Sequence, residues 1–89
     1  MYQVLWEEVA LGELLQLWLK LKPAEINAAV KEIERELSNR AEQAGESRTR
    51  ASERILIVDP LCVYFTIEYH DRLRTAVVHH VWSTYHLLN

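Results

Sequence analysis

The hydrophobic period of this chain changes once, and that change limits the fold more than any other feature. From Val9 to Ala44 apolar residues recur every three or four positions, whereas from Arg54 to Trp82 they recur every second position. The first spacing keeps one face of a helix apolar and the second one face of a strand, so the sequence predicts a helical first half and a β second half. A short alternating stretch, Tyr2, Val4 and Trp6 against Gln3 and Leu5, adds an opening strand before the helices.

Within the helical half, Leu11, Leu14, Leu15, Trp18 and Leu21 form a stripe that Leu17 and Leu19 widen, which predicts a largely buried helix. Pro23 suits the first turn of a second helix, and Glu25 follows where a carboxylate favours the positive end of the helix dipole. Ile26, Ala29, Val30, Ile33, Leu37, Ala41 and Ala44 carry the apolar face onward, Glu36 and Arg40 are spaced to pair, and Gly45 supplies a stop. The short Lys22-Pro23 connection folds the two helices into an antiparallel hairpin. Residues 46–52 have no apolar period and read as an exposed loop carrying Arg48 and Arg50.

In the β half, Arg54 to Val58 reads as a strand, Asp59-Pro60 as a turn, and Leu61 to Tyr69 as a strand with Val63, Phe65 and Ile67 on one face and Tyr64, Thr66 and Glu68 on the other. His70, Asp71 and Arg72 form a hairpin tip, and a last strand runs from Leu73 or Thr75 to Trp82. Strict alternation there sets His79 and His80 on opposite faces, so the two would not serve one site. The order is β-α-α-β-β-β over residues 1–89. This predicts one α+β domain in which an antiparallel sheet is packed on one face by a two-helix hairpin, leaving the other face wet.

Composition narrows the function. Eighty-nine residues with 49% apolar and 26% charged side chains describe an ordinary small globular chain, too small for a deep interdomain active site. A single cysteine, Cys62, excludes an intramolecular disulfide and fits a reducing cytoplasm. The apolar run ending at Leu21 is too short to span a bilayer, and Glu7, Glu8 and Glu13 stand where a signal peptide needs cations. The net charge of −3 divides unevenly: residues 1–47 carry nine acids and five bases, residues 48–89 four acids and five bases. All five bases of the second half are arginines, and all four histidines lie there too, so a polar working surface is expected after residue 47. Cys62, His70, His80 and His86 show no metal-ligand spacing, and neither a metal nor another cofactor is expected.

Several segments together carry a family likeness: Trp6-Glu7-Glu8 closing the first strand, the leucine-rich helix, the long second helix ending near Gly45, Arg54-Ile55-Leu56, the run from Asp59 to Ile67, and the closing Val77-Val78-His79-His80-Val81-Trp82. In these the chain resembles the RelE/ParE superfamily of toxins from bacterial type II toxin-antitoxin modules, the plasmid stabilisation proteins. The resemblance implies binding to a cognate antitoxin and inhibition either of translation, by mRNA cleavage on the ribosome, or of DNA gyrase. It also implies Tyr85 and His86 as a catalytic pair and, for an antitoxin-bound protein, Trp82, Leu87 and Leu88 as a partner groove; Arg48 and Arg50, with Arg54 at the strand edge, read either as phosphate contacts or as a solvated loop that keeps an edge strand from pairing. RNA cleavage requires a base, an acid and cations for the developing charge. RelE-like members commonly carry an arginine where this chain has Cys62 and a basic pair where it has Ser83-Thr84, so two cationic positions are neutral here. The reading from a different class is a non-catalytic interaction or dimerisation module of the same fold.

Overall fold

A computed structural model describes residues 1–47 and 53–85, with the side chains of Glu46, Ser47 and His70 excepted. The elements are β1 (Gln3–Trp6), α1 (Glu8–Lys20), α2 (Pro23–Arg40), β2 (Glu46–Ser47), β3 (Glu53–Val58), β4 (Leu61–His70) and β5 (Leu73–Ser83). The sheet order is β1-β5-β4-β3-β2. The late strands form the expected antiparallel meander. β1 joins it parallel to β5, with Gln3 opposite Thr75 and Trp6 opposite Val78, so the sheet is mixed. β1 is followed by a helical crossover, which lets it return alongside β5 in the parallel sense. Residues 46 and 47, expected in a loop, pair with β3 instead.

α2 supplies the helical side of the core. Ile26, Ala29, Ile33 and Leu37 are all buried at three- and four-residue spacing. They meet Leu61, Val63 and Phe65 of β4 and Val78 of β5 in one apolar cluster. Phe65 has no exposed surface, and its burial contributes about 2–3 kcal/mol. Two polar ties fix the first strand to this helix: the Tyr2 amide donates to the Ser38 carbonyl at 2.8 Å, and the Trp6 indole N–H donates to Glu34 at 3.1 Å. The expected Glu36–Arg40 pair forms at 3.0 Å.

α1 departs from its expected burial. Ala10 is its one buried residue, while Val9, Leu11, Leu15, Trp18 and Leu19 are exposed, Leu19 to 65%. The helix is apolar almost all round, yet the sheet and α2 cover only part of its circumference.

The hairpin tip between β4 and β5 turns at Asp71 and Arg72, both with positive φ, as a tight turn matching the sheet's twist demands. Beside it Tyr69 donates its phenolic hydrogen to Glu42, and the Arg74 guanidinium lies 5.8 Å from the Tyr2 ring centroid and 5.9 Å from that of Tyr69. Hydrogen bonds from Tyr69 and then Tyr2 hold the Glu42 carboxyl below the ordinary range.

Two stability predictions follow from this geometry. Gly45 has φ +66°, and a Cβ there would lie 2.1 Å from the Ile55 carbonyl oxygen, whereas a Cβ on Gly12 meets nothing within 4 Å. In urea denaturation, Gly45→Ala therefore loses about 2 kcal/mol or more, and Gly12→Ala in the helix interior gains about 0.5–1 kcal/mol. Because Glu42 stays charged to lower pH in the folded chain than in the unfolded one, the unfolded chain binds more protons in that window, and stability falls with pH there. Tyr69→Phe removes the largest cause of that shift, so between pH 7 and about pH 3 it loses less stability than the parent chain. Equal losses would contradict the assignment.

Candidate functional site

Residues directly opposite each other in a ladder share a face, so the register shows what each side of the sheet presents. Arg54, Phe65 and Val78 stand together on the helix side; Tyr64 and Thr66 of β4 stand on the other. The ladder slips once: Tyr64 pairs with His80 and Phe65 with Val78, leaving His79 as an extra residue in β5. A bulge of this kind breaks strict alternation. It turns both His79 and His80 onto the open face, where they line one shallow depression of about 440 Å³. The expectation that these two histidines lie on opposite faces is thereby corrected.

The network around the bulge joins four elements. His79 Nε2 lies 2.7 Å from Thr66 Oγ1, and its Nδ1 is hydrogen-bonded to Glu7, the residue between β1 and α1. Thr66 also reaches Glu68 Oε2 at 3.2 Å, and Tyr64 donates to Glu53 Oε2 at 2.9 Å. The Tyr64 ring packs between the imidazoles, 5.5 Å from His79 and 6.3 Å from His80, nearly parallel to the latter. His80 Nδ1 approaches Glu13 of α1 at 3.2 Å. Pairing with β1 ends at Val78, so beyond it β5 has a bare edge, and Glu13 fills part of that edge by accepting from the Val81 amide at 3.1 Å.

The depression is lined by Glu7, Glu53 and Glu68 together with the two histidines, and among the described residues by no lysine or arginine. It suits proton transfer and hydroxyl chemistry better than the binding of a polyphosphate, which needs cations. Burial, with the Asp59 charge second, pushes the Cys62 thiol up and leaves it a poor nucleophile. Among the described residues no group of three or more histidine, cysteine, aspartate or glutamate side chains is placed to hold a metal ion.

Arg54 and Tyr85, singled out in the sequence, lie elsewhere. Arg54 donates from Nε to the Ala44 carbonyl at 2.6 Å and from Nη2 to the Gly45 carbonyl at 3.1 Å, capping the turn beyond the C-terminus of α2. Tyr85 lies at the opposite end of that helix, in a depression shared with Lys20, Lys22 and Glu25. α2 has 18 residues, a length of roughly 27 Å, so Arg54 and Tyr85 do not converge on one substrate. Trp82 is half-buried opposite Cys62, two residues beyond His80 on the same face. Arg48, Arg50, His86, Leu87 and Leu88 lie outside the described residues.

Known structures share this architecture. The RelBE2 toxin-antitoxin complex from Mycobacterium tuberculosis contains a chain that superposes with TM-score 0.67 at 20% identity, over 92% of this chain and 90% of that one. The chromosomal ParDE system from P. aeruginosa contains another, with TM-score 0.66 at 16% identity, over 93% and 96%. The chain has the RelE/ParE toxin fold. No family model and no curated protein matches the sequence, so the likeness is one of fold.

The edge contact of Glu13 is open to test. Glu13→Ala leaves the Val81 amide without its carboxylate acceptor and costs about 1–2 kcal/mol in chemical denaturation, whereas Glu13→Gln keeps an acceptor oxygen and loses clearly less. Equal losses in the two variants would remove the hydrogen bond from the account of the edge.

Proposed function

We propose that this chain is the toxin member of a toxin-antitoxin pair and that its antitoxin lays an amphipathic helix along α1. The observation that carries this reading is the exposed apolar face of α1. Leu11, Leu14, Leu15 and Trp18, with Ile26 and Val30 of α2, line a groove of about 410 Å³. A helix apolar on nearly every side is normally covered, and a contiguous exposed patch of this kind marks a protein-binding surface. Leucine and tryptophan anchors spaced along a groove match the helix-in-groove mode of recognition. The fold likeness to chains from two toxin-antitoxin complexes supports the same assignment.

Of the two targets attributed to such toxins, the acidic open face favours a protein target such as DNA gyrase over mRNA. The carboxylates of Glu7, Glu53 and Glu68 repel phosphate, and the Arg54 guanidinium is committed to carbonyls on the helix side. The site of action is the cytoplasm. In the rival reading, a non-catalytic module, the same groove receives a second copy of the chain.

Inducible expression in a bacterial host without the partner stops growth, with DNA supercoiling altered before protein synthesis falls. Co-expression with the small protein encoded beside it restores growth. Leu15→Glu, at a position 55% exposed, leaves the melting temperature within a few degrees, weakens antitoxin binding at least about tenfold and abolishes the rescue. Undisturbed growth on expression would overturn the toxin reading. Concentration-dependent dimerisation lost in Leu15→Glu would support the module instead.

A further inference from the structure

The open sheet face holds a chain of three groups whose order is that of an activated nucleophile. A hydroxyl, Thr66 Oγ1, lies 2.7 Å from an imidazole nitrogen and 3.2 Å from the Glu68 carboxylate, which competes for its one proton, and the other nitrogen of that ring is held by a carboxylate, Glu7. Hydroxyl, base and orienting acid within hydrogen-bond reach of one another form the arrangement that raises the reactivity of serine or threonine on unrelated folds. The three come from the centre of β4, the bulge in β5 and the residue after β1, 72 positions separating Glu7 from His79, so no local sequence preference accounts for their meeting. Thr66 and His79 are only partly buried and border the same depression, which leaves room for a ligand at the hydroxyl.

We propose that Thr66 is a nucleophile served by His79 and Glu7, and that this face accepts acyl groups from carboxylic esters. This inference is independent of the antitoxin reading. Thr66 Oγ attacks the ester carbonyl carbon as its proton passes to His79 Nε2, while the Nδ1 hydrogen remains directed at Glu7. The tetrahedral adduct then collapses, the carbon–oxygen bond to the alcohol breaks, and the departing oxygen takes the proton from Nε2. One carbon–oxygen bond forms, one breaks, and no electrons leave the system. Water attacking the acyl-threonine by the same route releases the carboxylic acid and restores the hydroxyl.

The surroundings select the ester. Glu7, Glu53 and Glu68 disfavour anionic substrates and suit neutral or ammonium-bearing ones. Among the described residues the lining includes no amide side chain, lysine or arginine to stabilise an oxyanion, and loss of a single such donor elsewhere costs about 10²–10³ in rate. Acylation and deacylation are therefore both slow, and the acyl-threonine accumulates only from an activated ester, whose alcohol leaves more readily than the threonine hydroxyl.

The test uses the full chain with p-nitrophenyl acetate. Intact-mass measurement and peptide mapping locate the adduct, and hydroxylamine separates a threonine ester from lysine amides. The expected result is one acetyl group on Thr66, with a burst of nitrophenol equal to the protein. Thr66→Val, which keeps a β-branched strand residue, and His79→Asn abolish the adduct without changing the circular dichroism spectrum. Glu7→Gln slows acylation at least about tenfold. Thr75→Val, at another open-face position of β5, acylates as the parent does. Acetylation confined to lysines, or labelling of Thr66 that persists in His79→Asn, would overturn the proposal and leave the three groups as a structural clasp. An ester bearing a carboxylate that acylates as fast as p-nitrophenyl acetate would overturn the assigned selectivity.

Discussion

The seam between α2 and the β4–β5 ladder governs what the rest of the molecule can be. Ile26, Ala29, Ile33 and Leu37 close over Val63, Phe65 and Val78, and once these are turned inward the opposite face of every paired residue is settled. The seam also explains the bulge. Val78 and Val81 are both buried against the helical layer although they are three positions apart, a spacing that a regular strand places on opposite faces. Turning Val81 out to solvent would forfeit about 2 kcal/mol of burial. One extra residue reconciles the two valines, and that residue is His79. The polar cluster on the open face is thus a consequence of how the apolar one packs.

This history shows why some of the molecule was legible in the sequence and some was not. The element order apart from the two-residue β2, the α2 stripe and the inward set Val63, Phe65 and Ile67 follow from local periodicity, and the structure has them as expected. The sharing of one face by His79 and His80 does not follow from alternation. Its trace in the sequence is two adjacent polar residues inside an otherwise apolar strand, with Val78 and Val81 out of step. The parallel partner of β5 was equally hidden, since strand pairing between residues far apart in the chain leaves no local pattern. For α1 the periodicity predicts the helix but not its burial, because a helix apolar on most sides is buried only if something else supplies the cover.

Charge misled for a related reason. Counted along the chain, the second half is the basic one, yet the open sheet face is acidic. Glu7 and Glu13 are brought to β5 from the first half by the fold, while Arg54 turns to backbone carbonyls on the helix side and Arg74 packs against Tyr2 and Tyr69 at the sheet end. A linear tally records which charges a segment owns but not which face receives them. Arg54 and Arg74 thus hold a turn and a pair of rings together, and among the described residues the depression is left to imidazoles, hydroxyls and carboxylates.

The position of β5 between β1 and β4 bears on how the chain comes to be made. Both neighbours precede it in synthesis, so during translation the sheet lacks its middle until residue 83 has left the ribosome. Bringing the two ends of a 72-residue separation together costs about 4 kcal/mol of loop-closure entropy, recovered only when β5 docks. The Glu7–His79 contact therefore cannot exist in a chain that stops short of β5. Whatever the open face does, it is switched on by the arrival of β5, and a nascent molecule carries the exposed apolar face of α1 before it carries a working surface.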